Sequence, residues 1–374
     1  MGSKQIILEF LSSADVKING NRFFDIQVND ERFYDRIISQ GTLGIGESYM
    51  DGWWDCKDLA EMMFRTLRAG GHATFSKTLV NLLHVIQAKL LNSQTRDRSK
   101  KVTDEHYDVG DDLYMALLGP YSQYTCAYFK DTDDLGRAQE NKMDLICRKI
   151  QLKSTDRVLD IGCGWGGLAK WMAEKHGCNV TGINLAKGQV EYANKHISDP
   201  RVNILNMDYR DIPEKIEGKF DKIVSVGMLE HVGYKNHRIF METIKKVLTP
   251  EGLLLLHCCA RDISGTIVEP WIEKYIFPGA IVPSPTQLTK AFEGLFVLED
   301  WHNIGAHYDP TLMAWMKNLD AAWPRFKEHY GERFYRMFRY YLLGCAGAFR
   351  ARDMELWQTV YSHNGLVGGY NSVR

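Results

Sequence analysis

The 374-residue sequence lacks several features that would place it in a special class of protein. None of its eight cysteines forms a Cys-x-x-Cys zinc pattern, so reduced thiols without a metal are expected. No continuous apolar run is long enough to cross a membrane. A formal net charge of −1 gives no overall attraction to nucleic acid, so no nucleic-acid partner is expected. The remaining composition is that of an ordinary globular protein, which we expect in the cytoplasm.

The length and the order of the sequence patterns predict two domains. Single hydrophobic cores usually stop growing well below this length. Residues 1–92 alternate short helical and strand patterns and predict a small α+β domain at the N-terminus. Residues 93–103, with four basic side chains, are predicted to form a linker. Residues 104–374 then form a larger second domain, with aromatic helices inserted at 264–345.

Two segments of the N-terminal domain have more than one interpretation. The glycines at 44–52 predict a tight turn, and the adjoining pair Trp53 and Trp54 either forms a structural corner or meets an apolar partner. Residues 75–91 carry leucine and isoleucine at helical spacing next to a basic run. That pattern fits a contact with a membrane surface or a second subunit, and it equally fits a helix that faces the core.

The strand pattern that ends at Asp160 runs straight into a glycine-rich turn with Gly162, Gly164, Gly166 and Gly167. Glycine lets backbone N–H groups approach a ligand closely, and the aspartate places a carboxylate beside them. The first three glycines depart from the dinucleotide-binding fingerprint, but Gly167 satisfies its spacing. The turn therefore predicts a nucleotide or nucleoside ligand and, by itself, leaves a dinucleotide open.

Strand and helix patterns alternate after this turn. Further strands are predicted at 179–184, 202–207, 220–226 and 252–257, with a closing strand near 357–361. This alternation predicts an α/β fold with a Rossmann-like, mostly parallel sheet that has helices on both faces. Ligands of such sheets bind beyond the carboxyl ends of the strands.

The residues at the predicted strand ends favour a sulfonium nucleoside over a dinucleotide. A nicotinamide dinucleotide site would have an acidic residue after the second strand, where this chain has the neutral Asn184. After the third strand, Asp208 is expected to accept a hydrogen bond from an adenine amino group, and Tyr209 to stack on the ring. Glu230 and His257 follow the fourth and fifth strands.

Nine segments of the sequence carry a family resemblance. They are GIGESYMDGWW at 44–54, EHYDVGDDLY at 105–114, QYTCAYF at 123–129, VLDIGCGWGG at 158–167, MDYRD at 207–211, VSVGMLEHVG at 224–233, EPWIEKYIFPG at 269–279, EDWHNIGAHYDPTLMAW at 299–315 and GAFRARDMELWQ at 347–358. In content and order they resemble the cyclopropane fatty acid synthases, which are class I S-adenosylmethionine methyltransferases. Mycolic acid cyclopropane synthases share the catalytic half but begin near the EHYD segment, so the added N-terminal domain favours the branch that acts on phospholipids.

The resemblance implies two bound groups, S-adenosylmethionine and a bicarbonate ion that acts as the base. The implied cofactor-binding residues are Tyr124, Thr125, Asp160, Gly162, Gly164, Asn184, Gln189, Asp208 and Tyr209. The implied catalytic residues around bicarbonate are Cys126, Glu230, His257 and Tyr308, with the backbone N–H of Cys259. Aromatic side chains implied to face the substrate are Tyr107, Tyr124, Phe277, Tyr308 and Trp315.

Each catalytic assignment has a structural alternative. Cys126 fits a small buried apolar residue, which is the commoner fate of a free cysteine. His257 ends an apolar strand, where a lone histidine often has only a structural hydrogen bond. Glu230 fits a favourable charge near a helix N-terminus.

The resemblance implies methyl transfer to the cis double bond of an unsaturated phospholipid acyl chain, through a carbocation, to form a cyclopropane ring. The implied partners are a phospholipid bilayer, contacted peripherally on the inner face of the membrane, and a second copy of the chain in a homodimer. Two alternatives stay open. The product could carry a methyl branch, which needs an outside hydride source, or the chain could be a lipid-binding module with an inactive methyltransferase fold.

Overall fold

The computed structural model describes residues 2–71, 110–265 and 269–374. The helices in these ranges are α1 (Ser3–Ser13), α2 (Arg32–Gln40), α3 (Thr42–Met50), α4 (Leu59–Arg68), α5 (Asp111–Leu118), α6 (Leu135–Lys149), α7 (Gly167–His176), α8 (Lys187–His196), α9 (Ile212–Lys215), α10 (Leu229–Val232), α11 (His237–Val247), α12 (Pro270–Tyr275), α13 (Pro285–Phe292), α14 (Tyr308–Ala322) and α15 (Lys327–Ala351). The strands are β1 (Gln27–Val28), β2 (Trp54–Asp55), β3 (Arg157–Ile161), β4 (Asn179–Asn184), β5 (Val202–Asn206), β6 (Phe220–Val226), β7 (Leu248–Ala260), β8 (Val297–Asn303) and β9 (Glu355–Ser362). The predicted linker at 93–103 and the predicted helix at 75–91 lie outside the described residues.

The chain divides into two compact units. One unit comprises Met1–Leu91, Thr266–Gly279 and Tyr308–Met354, and the other comprises Asn92–Gly265, Ala280–His307 and Glu355–Arg374. Helices α12, α14 and α15 therefore group with the N-terminal helices, whereas the sequence placed them as an insertion in the second domain. The reason is packing within the first unit, where the long helix α15 lies against α3, α4 and α14.

The first unit is built around Trp54, whose side chain has no exposed surface. Its ring lies 4.9 Å from that of Tyr49 and 6.4 Å from that of Tyr340, and its indole N–H donates to the carbonyl of Ile45 at 3.1 Å. The structural-corner interpretation is therefore confirmed for Trp54, and contact of this residue with a bilayer is wrong because burial leaves no free face. Its neighbour Trp53 is partly exposed.

Most of the glycine segment before these tryptophans is helical, so the predicted tight turn is wrong for Gly44 and Gly46 and holds only at Gly52, which lies in a turn with a φ of 76°. The helical part belongs to α3, where its glycines allow close packing. A Cβ atom added to Gly46 would lie 2.3 Å from the ring of Trp271, and one added to Gly44 would lie 2.4 Å from the carbonyl oxygen of Arg36. Small residues at these two positions let α3 approach its neighbours closely.

The second unit contains a seven-stranded sheet with the order β5-β4-β3-β6-β7-β9-β8. The first five of these strands run parallel, and β9 pairs antiparallel with both β7 and β8. The predicted mostly parallel sheet is confirmed. The sequence did not predict β8, and β7 extends beyond the predicted strand in both directions.

The central parallel strands β3 and β6 are buried on both faces, as their apolar sequences predicted, whereas the edge strand β5 is partly exposed. Leu159 and Ile161 of β3 belong to one apolar cluster, whereas Val158 belongs to a second cluster with Val224 of β6. Alternate residues therefore face opposite helical layers. The carboxyl ends of β3, β4, β6 and β7 lie at one edge, where their polar residues meet. Within the described ranges, no helix is both long and apolar enough to span a membrane.

Candidate active site

The glycine turn after β3 has one packed side and one open side. Gly162, Gly164 and Gly166 have φ angles of 81°, 57° and 80°, a left-handed backbone that favours glycine. A Cβ atom added to Gly162 would lie 2.7 Å from the Met228 side chain, whereas one added to Gly164 would have no atom within 4 Å. Gly164 therefore borders open space, where a ligand can approach the backbone, and the turn fits a nucleoside cofactor.

Two of the predicted cofactor residues are joined to this turn. The side-chain amide of Asn184, at the end of β4, donates to the Gln189 side-chain oxygen at 2.7 Å and to the carbonyl of Gly164 at 3.3 Å. Gln189 is buried in α8. The structure thus brings Asn184, Gln189 and the glycine turn together, and their binding of a cofactor stays a prediction.

Asp208 and Tyr209, the predicted adenine contacts, already have protein partners. The Asp208 carboxylate accepts from the backbone N–H of Arg210 at 2.9 Å and from its guanidinium at 3.2 Å. The Tyr209 ring is 4% exposed and packs edge-on against Phe240 at 5.1 Å. Stacking on an adenine would require this ring to leave the core, so the adenine assignment stays a prediction.

A buried lysine that the sequence reasoning missed supports the segment at 123–126. The Lys142 side chain in α6 is fully buried, and its ammonium donates to Thr125 Oγ1 at 3.1 Å and to the Gln123 side-chain oxygen. Tyr124 packs its ring edge-on against Tyr114 at 5.2 Å. Lys142 stands in α6, the helix that precedes the glycine strand β3, and only its complete burial marks it as unusual.

Asp160 and Lys142 form an electrostatically coupled pair. Asp160 is 1% exposed, and one of its carboxylate oxygens has no hydrogen-bond partner in the described part of the chain. Burial raises the pKa of Asp160, and the charge of Lys142 opposes that rise. Burial likewise lowers the pKa of Lys142. A buried carboxyl group with one unbonded oxygen, beside an open glycine turn, is a suitable partner for a cationic ligand group.

Glu230 in the short helix α10 is a buried carboxyl with one oxygen bound and one unbound. Its Oε1 accepts from the backbone N–H of Cys259 at 2.6 Å, and its Oε2 has no partner among the residues described. Burial raises the pKa of Glu230 to about 7. The Cys259 N–H, which the sequence assigned to bicarbonate, is therefore already used by Glu230, and bicarbonate would need this carboxylate to move in order to take it.

His257 lies on β7 with one ring nitrogen bonded and the other unbonded. It is 1% exposed, its Nδ1 lies 3.3 Å from the side-chain nitrogen of Gln358, and its Nε2 has no partner within the described ranges. Burial, with the charges of Lys142 and Lys149, lowers the pKa of His257 well below its usual range. The ring is neutral and can donate or accept one hydrogen bond at Nε2. Gln358 ends the GAFRARDMELWQ motif, but no pattern in the sequence indicates its contact with His257.

Neither of the two predicted cysteines forms a disulfide. Cys126 is fully buried, and its thiol lies 3.2 Å from the carbonyl oxygen of Ala127. Burial raises the pKa of the Cys259 thiol well above its usual range, and Glu230 adds to that rise. The Cys259 side chain is therefore not placed as a thiolate nucleophile, and Cys126 fits its structural alternative as a small buried residue.

Tyr308 begins α14 in the first unit. Its ring stacks on that of Phe349 at 4.4 Å and lies edge-on to Trp315 at 6.2 Å. Its predicted position beside Glu230 and His257 stays a prediction. Tyr107, another predicted aromatic residue, lies outside the described residues.

The family model for mycolic acid cyclopropane synthetase matches residues 94–359 of the chain. The chain belongs to this family. Its sequence is 47% identical over 365 residues to the cyclopropane-fatty-acyl-phospholipid synthase of Escherichia coli (strain K12), covering 97% of this chain and 94% of that protein. Membership of the family expected from the sequence motifs is thus confirmed, and the chain is an enzyme of this family.

Solved structures of the family share the fold. The cyclopropane synthase MmaA2 from Mycobacterium tuberculosis is 29% identical with a TM-score of 0.64, over 70% of this chain and 97% of that chain. The mycolic acid cyclopropane synthase CmaA1, complexed with SAH and CTAB, is 28% identical with the same TM-score of 0.64, over 70% of this chain and 97% of that chain. The predicted class I methyltransferase fold is confirmed.

Proposed function

We propose that the chain is a cyclopropane-fatty-acyl-phospholipid synthase. It transfers a methyl group from S-adenosylmethionine to the cis double bond of an unsaturated phospholipid acyl chain, and a cyclopropane ring forms by way of a carbocation. The observation that carries this proposal is the 47% identity to the Escherichia coli enzyme, which extends over 97% of the chain.

The glycine turn and its neighbours fit the methyl donor. S-Adenosylmethionine, when bound, supplies an electrophilic methyl group on a sulfonium sulfur. Gly164 leaves the backbone open to it, while Asn184 and Gln189 offer amide groups to its ribose. Thr125 would bind the amino-acid part of the cofactor, and Lys142 holds Thr125 in place through the 3.1 Å hydrogen bond.

We further propose that Glu230 and His257 hold a bicarbonate ion. Bicarbonate, when bound, supplies a weak base for the proton that leaves the added methyl group. The two buried atoms without partners, Glu230 Oε2 and His257 Nε2, support this proposal because a buried polar atom is costly unless a ligand satisfies it. The neutral imidazole suits an anion as a hydrogen-bond donor, and a Glu230 pKa of about 7 lets this carboxyl hold or release a proton near neutral pH.

The aromatic side chains and the exclusion of water complete the proposed chemistry. A carbocation on the acyl chain is stabilised by the electron-rich faces of aromatic rings and is destroyed by water. Tyr308 and Trp315 supply such faces in α14. The role of Tyr308 toward the reacting atoms is part of the proposal.

We also propose that the enzyme works as a homodimer in peripheral contact with the inner face of the membrane. The membrane contact is supported by the substrate, whose acyl chains lie inside a bilayer, and the homodimer is what the resemblance to the family implies. Sedimentation with phosphatidylglycerol vesicles should carry the protein into the pellet, and analytical ultracentrifugation should give twice the chain mass. A protein that stays in the supernatant at every lipid concentration, or that sediments as a monomer, contradicts the corresponding part.

The function is tested with labelled methyl donor and vesicles of unsaturated phospholipid. We expect label in the lipid and acyl chains that are heavier by one methylene group, as measured by mass spectrometry. A product heavier by a further two hydrogens would instead show methyl branching. Binding of lipid without any transfer would show an inactive module, and label in a water-soluble acceptor would refute the proposal.

The role of Glu230 is tested by Glu230→Gln, which keeps the shape of the side chain and removes its ability to exchange a proton. We expect the affinity for S-adenosylmethionine to stay within about twofold, while turnover falls at least about a hundredfold. Glu214→Gln, a change at an exposed glutamate of α9, is the matched control and should leave both quantities unchanged. Wild-type turnover in Glu230→Gln would remove Glu230 from the mechanism.

A further inference from the structure

Three polar residues occupy one row across the end of the sheet. In the antiparallel pairings, Gln358 of β9 lies directly opposite His257 of β7 on one side and His302 of β8 on the other. Gln358 has no exposed surface, and its amide nitrogen is 3.3 Å from Nδ1 of His257. A buried glutamine in contact with a histidine of the proposed site determines which hydrogen bonds that histidine can make.

Burial and two nearby positive charges keep the His257 ring neutral. It is buried, and the positive charges of Lys142 and Lys149 both act against protonation of the ring. Lys149 is itself fixed by a buried ion pair with Asp300 at 3.0 Å. A neutral imidazole carries one proton, so one ring nitrogen donates a hydrogen bond and the other accepts one. Which nitrogen has the proton depends on the partner at Nδ1.

The amide orientation of Gln358 favours acceptance at Nδ1. The side-chain nitrogen of Gln358 faces Nδ1, and its oxygen has no partner within the described ranges. Turning the amide around would leave a buried NH2 group with two N–H donors unsatisfied, whereas a buried oxygen without a partner is tolerated more often. The N–H of Gln358 therefore donates to Nδ1, and the histidine proton resides on Nε2.

We propose that Gln358 is a positioning residue that keeps the proton of His257 on Nε2, so that the proposed site presents an N–H donor to an oxyanion. This inference rests on the proposed role of His257. Nε2 has no partner in the described residues, and Glu230 Oε2, which is also unpartnered, offers the complementary acceptor. A donor and an acceptor are together what an ion with both oxyanion and hydroxyl groups requires.

The position of the proton is tested directly by NMR of full-length protein labelled with ¹⁵N-histidine, with the His257 signal assigned from its loss in His257→Gln. We expect a protonated Nε2 and an unprotonated Nδ1 in the wild type. A protonated Nδ1 would overturn the inference. This measurement needs no turnover, so it stays decisive even if the wild type makes no cyclopropane product and the proposed function fails.

Two variants test the consequence for catalysis. Gln358→Met keeps the volume and removes the donor, so we expect turnover to fall about tenfold while the KM for S-adenosylmethionine stays within about twofold. Gln358→Glu places acceptor oxygens at Nδ1, draws the proton away from Nε2, and should reduce turnover more than Gln358→Met does. Turnover within twofold of the wild type in both variants would overturn the inference.

The matched control is Thr359→Val, an isosteric change at the next residue of β9. Thr359 is fully buried in β9. Its side chain faces away from the row that contains Gln358. We expect turnover and KM to remain at the wild-type level in this variant, so that a loss in Gln358→Met reports on His257 and not on the integrity of β9.

Discussion

Replacement of Glu230 by glutamine should make the protein more stable at alkaline pH while it removes activity. The folded protein raises the pKa of this carboxyl from its ordinary value of 4.5 to about 7, because burial disfavours the charged form. Each pH unit of that difference corresponds to about 1.4 kcal/mol, so the ionised side chain costs about 3 kcal/mol of stability above pH 7. Glutamine has no charge to bury, and its oxygen still accepts the Cys259 N–H.

The sign of the pH dependence follows from proton binding. Between pH 4.5 and pH 7 the folded state binds this proton more tightly than the unfolded state, so rising pH reduces the stability of the wild type. Below pH 4.5 both states have a neutral Glu230, and the variant should match the wild type to within about 1 kcal/mol. The advantage of the variant should grow across this window and then stay at about 3 kcal/mol.

The measurement is urea unfolding at pH 5 and pH 8, in buffer free of bicarbonate, for the wild type, Glu230→Gln and Glu214→Gln. Other titrating groups are common to all three proteins and cancel in the differences. Glu214 is exposed, so its variant should follow the wild type at both values. A difference for Glu230→Gln that is the same at pH 5 and pH 8, or that favours the wild type at pH 8, would refute the reasoning.

Two further predictions concern the glycine turn and the buried ion pair. Gly164→Ala places a Cβ atom on the open side of the turn at a left-handed φ, and calorimetry should show about tenfold weaker binding of S-adenosylmethionine. Gly188→Ala, in open space within α8, should bind S-adenosylmethionine normally. Equal affinity in both variants would contradict the role of the glycine turn in binding the cofactor. Asp300→Asn leaves the fully buried Lys149 without its charge partner and should cost about 3–5 kcal/mol in urea unfolding. The control Arg374→Gln removes a 43% exposed partner of the same aspartate and should cost below about 1 kcal/mol; an equal loss in both would show that burial is not the cause.

Much of the α/β sheet in the second unit could be predicted because the sequence signals for its strands and its glycine turn are local. The strand β3, followed by left-handed glycines, carries its own backbone requirements, and the apolar residues of β6 and β7 are typical of parallel strands. Strand β8 was missed because its sequence, VLEDWHN, mixes charged residues with apolar ones and has only one buried position. The helix α3 was mistaken for a turn because Gly46 serves close packing against Trp271 and Gly44 against the backbone of Arg36.

The candidate site was predictable only in part. The sequence indicated Glu230, His257, Asn184 and Gln189 by their places at strand ends and in family motifs, and the structure joins Asn184 to Gln189 and leaves one polar atom free on Glu230 and His257. The sequence did not reveal that Tyr209 packs into the core. A tyrosine at a strand end fits a ligand contact and a core residue equally well until its neighbours are known.

The sequence by itself determined the strand-turn-helix unit at the glycines, the mostly parallel character of the sheet and the family. These depend on local backbone preference, apolar periodicity and motif order. The tertiary structure alone decided that Lys142 supports Thr125, that Glu230 uses the Cys259 N–H, and that Gln358 meets His257. Each of these contacts joins residues far apart in the chain, and the burial that perturbs their proton affinity exists only when the elements pack together.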